Sequence, residues 1–337
     1  MAISRAKVWV AAEVLTAADQ NAEINNIIDK ALARVSPWTG SMAAGGFDLT
    51  GLDELAFNDA DADASATGRI RRTDQHLEWH DATASWPMQL LIGGGIFGLT
   101  ISNGTDATND INVAVGQCID DTEIETLRLT TALSGKQLDA AWAVGANAGM
   151  LDTGAIANTT YHIFIIKRVD TGVTDILAST SATAPTMPTS YTLQRRIGSI
   201  IRESAALVAF TQDGDYFRRA SILTISVTNP GTSAVTRTMD VPAGINVFVI
   251  FGTRITNSGT SELVYFSDLA ATDEAPSSTA TPLSSIAHAN SGEVAVGQYQ
   301  IRTNTSRGIR SRAATGDANT SLRMATLGWI DRRGQDA

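Results

Sequence analysis

The chain has 337 residues, 43% hydrophobic and 18% charged, with a formal net charge of -10. That is apolar enough for a sizeable core and excludes a disordered chain. The acidic balance speaks against nonspecific nucleic-acid binding, which needs cationic surface to displace counterions. The single cysteine, Cys118, excludes an intrachain disulfide framework.

The first predicted element is a helix over residues 17–35. Thr16 and Asp19 fit a capping box, with a hydroxyl and an acid each meeting free backbone amides. Ile24, Ile27, Ile28 and Ala31 then share one face at three-and-four spacing, until Ser36 and Pro37 stop the run. A helix this short is marginal alone in water, so its stripe needs a partner. Ahead of it, Val8, Trp9 and Val10 form an apolar lead suited to docking on another protein. Glu13 and Asp19 interrupt the apolar stretch, so no secretory leader is expected. No run of about 18 apolar residues is present to cross a membrane. Residues 1–37 are read as an anchor segment.

Residues 38–92 are small and polar, with a sparse apolar set, and read as short strands and turns that gain stability from neighbouring chains. Within them, residues 68–81 alternate around Ile70, Leu77 and Trp79 and predict a hairpin. Gly93, Gly94 and Gly95 form a flexible joint. From there to residue 337, strand signals recur. The strongest cover 161–169, 173–179, 194–202, 206–211, 222–227, 245–255, 263–266, 293–303 and 322–330. Two are continuous apolar runs, and such runs belong to strands covered on both faces. The reading is therefore a mainly β chain: an N-terminal helix, a hairpin region, and one antiparallel β-sandwich of jelly-roll type over 93–337. Phe164, Ile166, Phe248, Ile250 and Trp329 are expected in its core. Residues 138–142 read as a short helical turn. Cys118 reads as a small buried hydrophobe.

Few residues point to chemistry. Asp152-Thr153-Gly154 and Asp170-Thr171-Gly172 resemble the triplet of aspartic proteases, whose two facing carboxylates share a proton. The second copy sits between two strand signals and reads as a turn. Asn58, Asp59, Asp61 and Asp63 alternate as in a calcium loop but lack its glycine and closing glutamate. His76 and His80 have no third ligand nearby. The doublets Arg195-Arg196 and Arg218-Arg219 suit either an acidic ligand or neighbouring carboxylates. Tyr216, Phe217 and Tyr299 suit either stacking on sugars or the core. No catalytic, cofactor or metal residue is nominated, and no enzymatic activity is expected.

Three segments resemble a known family. Residues 15–28, behind the lead with Trp9, are similar to the opening of many tailed-bacteriophage fibre and tail proteins. Residues 68–81 resemble the hairpins of phage fibre shafts, and residues 183–200 with 210–217 resemble a stretch common in phage virion proteins. The resemblance implies a virion protein of the tail fibre or short spike type, made in the host cytoplasm and carried on the particle. It implies a homotrimer, joined to other virion proteins through Val8, Trp9, Val10, Ile24, Ile27, Ile28 and Ala31, and exposing its sandwich to a host surface glycan or protein. A head fibre or capsid decoration protein is the alternative, and a tail-associated glycan- or peptide-degrading enzyme is the alternative of another class. No cofactor, nucleic acid or membrane insertion is implied.

Overall fold

The computed structural model describes residues 69–73, 76–80 and 85–87 by their backbone, and residues 95–335 except 124, 260, 278 and 280–283; positions 16, 18 and 21 complete the described set. The chain divides into two compact units, Met1–Gln89 and Leu90–Ala337. The lead with Val8, Trp9 and Val10, the stripe Ile24, Ile27, Ile28 and Ala31, and the acidic stretch 58–63 lie outside the described residues. The helix expected over 17–35 does too, but for positions 18 and 21.

In the first unit, β1 (Arg69–Thr73), β2 (His76–His80) and β3 (Ser85–Pro87) form an antiparallel sheet in that order. Arg69 faces His80 and Thr73 faces His76, so the predicted hairpin is present. Pro87, which has no amide to donate, sits on an edge strand.

All regular structure described in the second unit is strand. The sequence predicts one sandwich there; the strands form two, each around its own core. The first takes β4 (Ile96–Gly98), β5 (Ile101–Asn103), β6 (Asp110–Val113), β7 (Gly116–Ile119), β8 (Thr126–Leu129), β9 (Leu133–Ala141), β10 (Gly149–Leu151), β11 (Thr160–Arg168), β12 (Thr174–Ser179), β13 (Tyr191–Glu203) and β14 (Ala206–Leu207). An eight-stranded sheet, β14-β13-β11-β12-β10-β9-β6-β5, packs on the three-stranded sheet β4-β7-β8. Its pairing is antiparallel except around β10, which runs parallel to both neighbours. β11 is covered on both faces, as its apolar run predicts. Ile163 and Ile165 enter the main core, while Phe164 and Ile166 pack with Leu177 and Tyr191 behind it. Cys118 is fully buried, and burial pushes its thiol up to about 12. The helical turn expected at 138–142 is instead the end of β9. Parallel pairing with β10, with Leu151 opposite Ala141, overrides the local helix preference of Asp139-Ala140-Ala141.

The second sandwich takes β15 (Phe210–Asp213), β16 (Tyr216–Thr228), β17 (Val235–Thr238), β18 (Phe248–Asn257), β19 (Glu262–Ser267), β20 (Ser284–His288), β21 (Val294–Arg302), β22 (Gly308–Ala313) and β23 (Thr320–Ile330). A five-stranded sheet, β15-β16-β23-β18-β21, faces a four-stranded sheet, β17-β22-β19-β20. Successive strands cross between the two sheets, save for the hairpin β19-β20 and the step from β15 to β16. Val249, Phe251, Met324 and Trp329 meet Val264, Phe266 and Ile309 in the core. Phe248 and Ile250 are a correction: they are half-buried and alternate with the core residues Val249 and Phe251, so they lie on the outer face. The second apolar run is thus covered fully on one face only.

The two sandwiches share a buried polar joint. Asp331, just after β23, accepts two hydrogen bonds from Arg196 of β13, at 2.6 and 2.8 Å, and one from Ser199 at 3.2 Å. Ser199 also meets His162 Nδ1 at 2.9 Å. Burial alone would raise the Asp331 carboxyl, but Arg196 and these hydrogen bonds hold it below its ordinary value.

Candidate ligand groove on the five-stranded sheet

The outer face of the five-stranded sheet holds the main candidate site. A bulge starts it. β16 and β23 pair at Arg218–Gly328 and next at Ile222–Thr326, so four steps on β16 span two on β23. The extra residues swing Arg218, Ala220 and Ser221 to the surface, as bulges do. Gly328 permits the close approach: a Cβ there would lie 2.4 Å from the Phe217 carbonyl.

Beyond the bulge the rows continue, with one more register shift on β16 between Leu223 and Ile225. Across β21, β18, β23 and β16, one row reads Gln298, Gly252, Ala325, Leu223. The next reads Val296, Arg254, Arg323, Ser226. Small side chains therefore floor the face while Leu223 and Val296 rise from its sides, 55% and 74% exposed. Three hollows run along it. The largest, about 740 Å³, is lined by Phe210, Tyr216, Arg218, Arg219, Ser221 and Gln298, among others. It shares Gln298 with a hollow of about 390 Å³ over Gly252, Gly297 and Ala325. That one shares Arg254 and Arg323 with a hollow of about 80 Å³, completed by Thr256 and Ser321. The three make one open groove, and among the described residues no Asp, Glu, His, Lys or Cys lines it.

Its charge is not balanced locally. Arg219, Arg302, Arg310, Arg312 and Arg333 each lie within 4.0 Å of a carboxylate oxygen. Arg218, Arg254 and Arg323 are exposed and have no such partner among the described residues. Arg254 and Arg323 stand directly opposite each other, an arrangement that costs stability for like charges. Arg219, at the groove's end, is 7% exposed; it pairs with Glu203 at 3.2 Å, and its buried Nε has no acceptor.

The residues singled out from sequence divide. Of the aromatics, Tyr216 lines the groove. Phe217 is buried and stacked on Trp329, with ring centroids 5.5 Å apart. Tyr299 is half-buried, packs on Phe251 and Phe266, and donates to the Ser285 carbonyl. Arg195 and Arg196 are buried beside Asp121 and Asp331. Asp170 sits in the β11–β12 turn, bonded to Arg168, and Gly172 has a φ of +71°. Asp152 lies at the far end of β12, its amide on the Ala178 carbonyl, so the two triplets do not face each other. Sequence reading missed Arg254 and Arg323. Each is a lone arginine in an alternating strand, and only the register brings them together.

A second grouping, Ser199, His162 and Asp331, has the residue types of a nucleophilic triad but not its order. The carboxylate meets the serine rather than the imidazole, and all three are buried. Burial, with Arg196 adding to it, pushes the His162 imidazole down to about 4, so it is neutral. The group ties the two sandwiches together.

No family model matches the chain, and no curated protein matches it. Among solved structures it is similar to a Bacillus thuringiensis Cry1Da tryptic core variant, at 9% identity over 69% of this chain and 51% of that one, with a TM-score of 0.18. It is also similar to the infectious bursal disease virus VP2 subviral particle, at 12% identity over 72% of this chain and 70% of that one, with a TM-score of 0.16. The chain spans about half the length of the Cry1Da core. At TM-scores this low, neither likeness carries weight in the functional reading.

Proposed function

We propose that this chain is a virion protein of a tailed bacteriophage, a tail fibre or short spike that adsorbs to a host surface through its second sandwich. The groove is the observation that carries the reading. It is an open, arginine-lined channel on the five-stranded sheet, and no carboxylate, imidazole or thiol lines it among the described residues to act as acid, base or nucleophile. Such a site binds a ligand and leaves it intact. The strand order supports the reading at the level of architecture. Sheets β16-β23-β18-β21 and β17-β22-β19-β20 have the order of an eight-stranded jelly roll, an architecture of viral capsid and lectin domains. Fold alone does not imply function, so the groove bears the weight. The homotrimer and the N-terminal anchor rest on the stripe of Ile24, Ile27, Ile28 and Ala31, on the lead with Trp9, and on the resemblance to fibre proteins.

Immunogold labelling of intact particles, with antibody raised against residues 209–335, tests the placement. Gold at the distal tail is the expected result. Gold on the head would make the chain a head fibre or decoration protein, and particles without label would overturn the virion reading.

A further inference from the structure

We infer that the groove is a binding site for a linear acidic polysaccharide, its carboxylate or sulfate groups seated on Arg218 at one end and on the Arg254–Arg323 pair at the other. The inference deepens the adsorption reading, and its test does not depend on where the chain sits on a particle.

Three observations point to such a ligand. The first is the charge. Two guanidinium groups face each other across β18 and β23 without a carboxylate, beside the hydroxyls of Thr256 and Ser321. The arrangement is unfavourable empty and favourable around an anion, because planar guanidinium forks match carboxylate and sulfate oxygens. The exposed apolar side chains Leu223 and Val296 flank the same hollow. The second is Gly252. Glycine weakens a strand and usually marks a bulge, a bend or a close backbone approach. Here no intramolecular contact demands it: a Cβ at Gly252 would meet nothing nearer than 4.0 Å. The bare position lies midway along the groove floor, where the C–H face of a sugar ring can rest on the backbone. The third is spacing. Arg218 pairs with Gly328 and Arg254 with Arg323, five positions along β23, which is about 17 Å. Between them lie the Gln298 amide and small side chains, and the other arginine there, Arg219, is paired with Glu203. Sparse charges separated by hydrogen-bonding, neutral surface fit a polysaccharide with intermittent acid groups. A nucleic-acid strand carries a charge on every nucleotide, asks for more cations and meets a chain of net charge -10.

The full-length chain is titrated by calorimetry, in low salt and again at raised salt, with sparsely carboxymethylated dextran, sparsely sulfated dextran, neutral dextran and oligothymidylate. Binding of the carboxymethylated or the sulfated dextran that weakens with salt, with neutral dextran silent, is expected; whichever of the two binds more tightly identifies the acid group. The double variant Arg254→Gln, Arg323→Gln should weaken binding at least about tenfold. Gly252→Trp should abolish it with every charge still in place, and an unchanged melting temperature will show that the fold survives. The double variant Arg310→Gln, Arg312→Gln, a matched loss of two charges on the other sheet, should leave binding as it is. Silence from both acidic polymers overturns the inference, as does equal binding of neutral dextran, tighter binding of oligothymidylate, or binding indifferent to the groove variants. A distal-tail label with no acidic-polymer binding would remove this inference and leave the adsorption reading standing.

Discussion

What separates a structural arginine from a recognition arginine in this chain is its partner. Arg195-Arg196 and Arg218-Arg219 look alike in sequence, and both suited an acidic ligand. Register then sends Arg196 to Asp331 and Arg219 to Glu203 and leaves Arg218 exposed at a bulge. Carboxylates 135 and 16 residues away decide the matter, and no local pattern announces them. The same joint sets a pH dependence through His162, whose folded value of about 4 lies below the ordinary histidine value of about 6.5. Above about pH 6.5 both folded and unfolded chains carry a neutral ring, and its contribution is constant. As pH falls from about 6.5 to about 4, the unfolded chain binds a proton that the folded one refuses, so stability is lost, by about 3 kcal/mol in all. Urea unfolding across that window should show the loss, and His162→Gln should flatten the slope relative to the parent chain. An equal slope in both would show that His162 takes up its proton while folded.

Strands with continuous apolar runs are not equivalent. β11 is covered on both faces, and its run was legible as such. β18 carries a similar run, yet Phe248 and Ile250 face outward toward half-open surface, because only one face of its sheet meets another sheet. Apolar composition marks a strand reliably but does not count the layers around it. Replacing Phe251 by Ala should therefore cost about 3–5 kcal/mol, and replacing Phe248 by Ala well under half of that, in chemical denaturation. Equal costs would place both rings in the core. The strands missed from sequence are mostly short: β4–β8 and β10 have three or four residues each, too few for a period to show. Tyr216–Ser221 was missed as the start of β16 because the bulge breaks its alternation.

At the scale of the whole molecule, the hardest feature to read was the division of residues 95–335 into two sandwiches. The predicted strand 206–211 is two strands, β14 and β15, one in each sandwich, parted at Val208 and Ala209. No glycine, proline or polar linker marks the handover. Phe210 packs against both cores, so the junction reads as strand. The mainly β class was legible, because alternating and continuous apolar patterns with turn residues recur along the body. The groove was not, since its floor comes from small residues on four strands that sequence cannot place side by side. Whether this surface carries the chain's adsorption function is decided by competition. Purified chain is added to host cells before particles that carry it, and the adsorption rate is measured against chain concentration. The parent chain should slow adsorption in proportion to dose, while Gly252→Trp should not. An unchanged rate with the parent chain, or equal competition by the variant, would contradict an adsorption role for this surface.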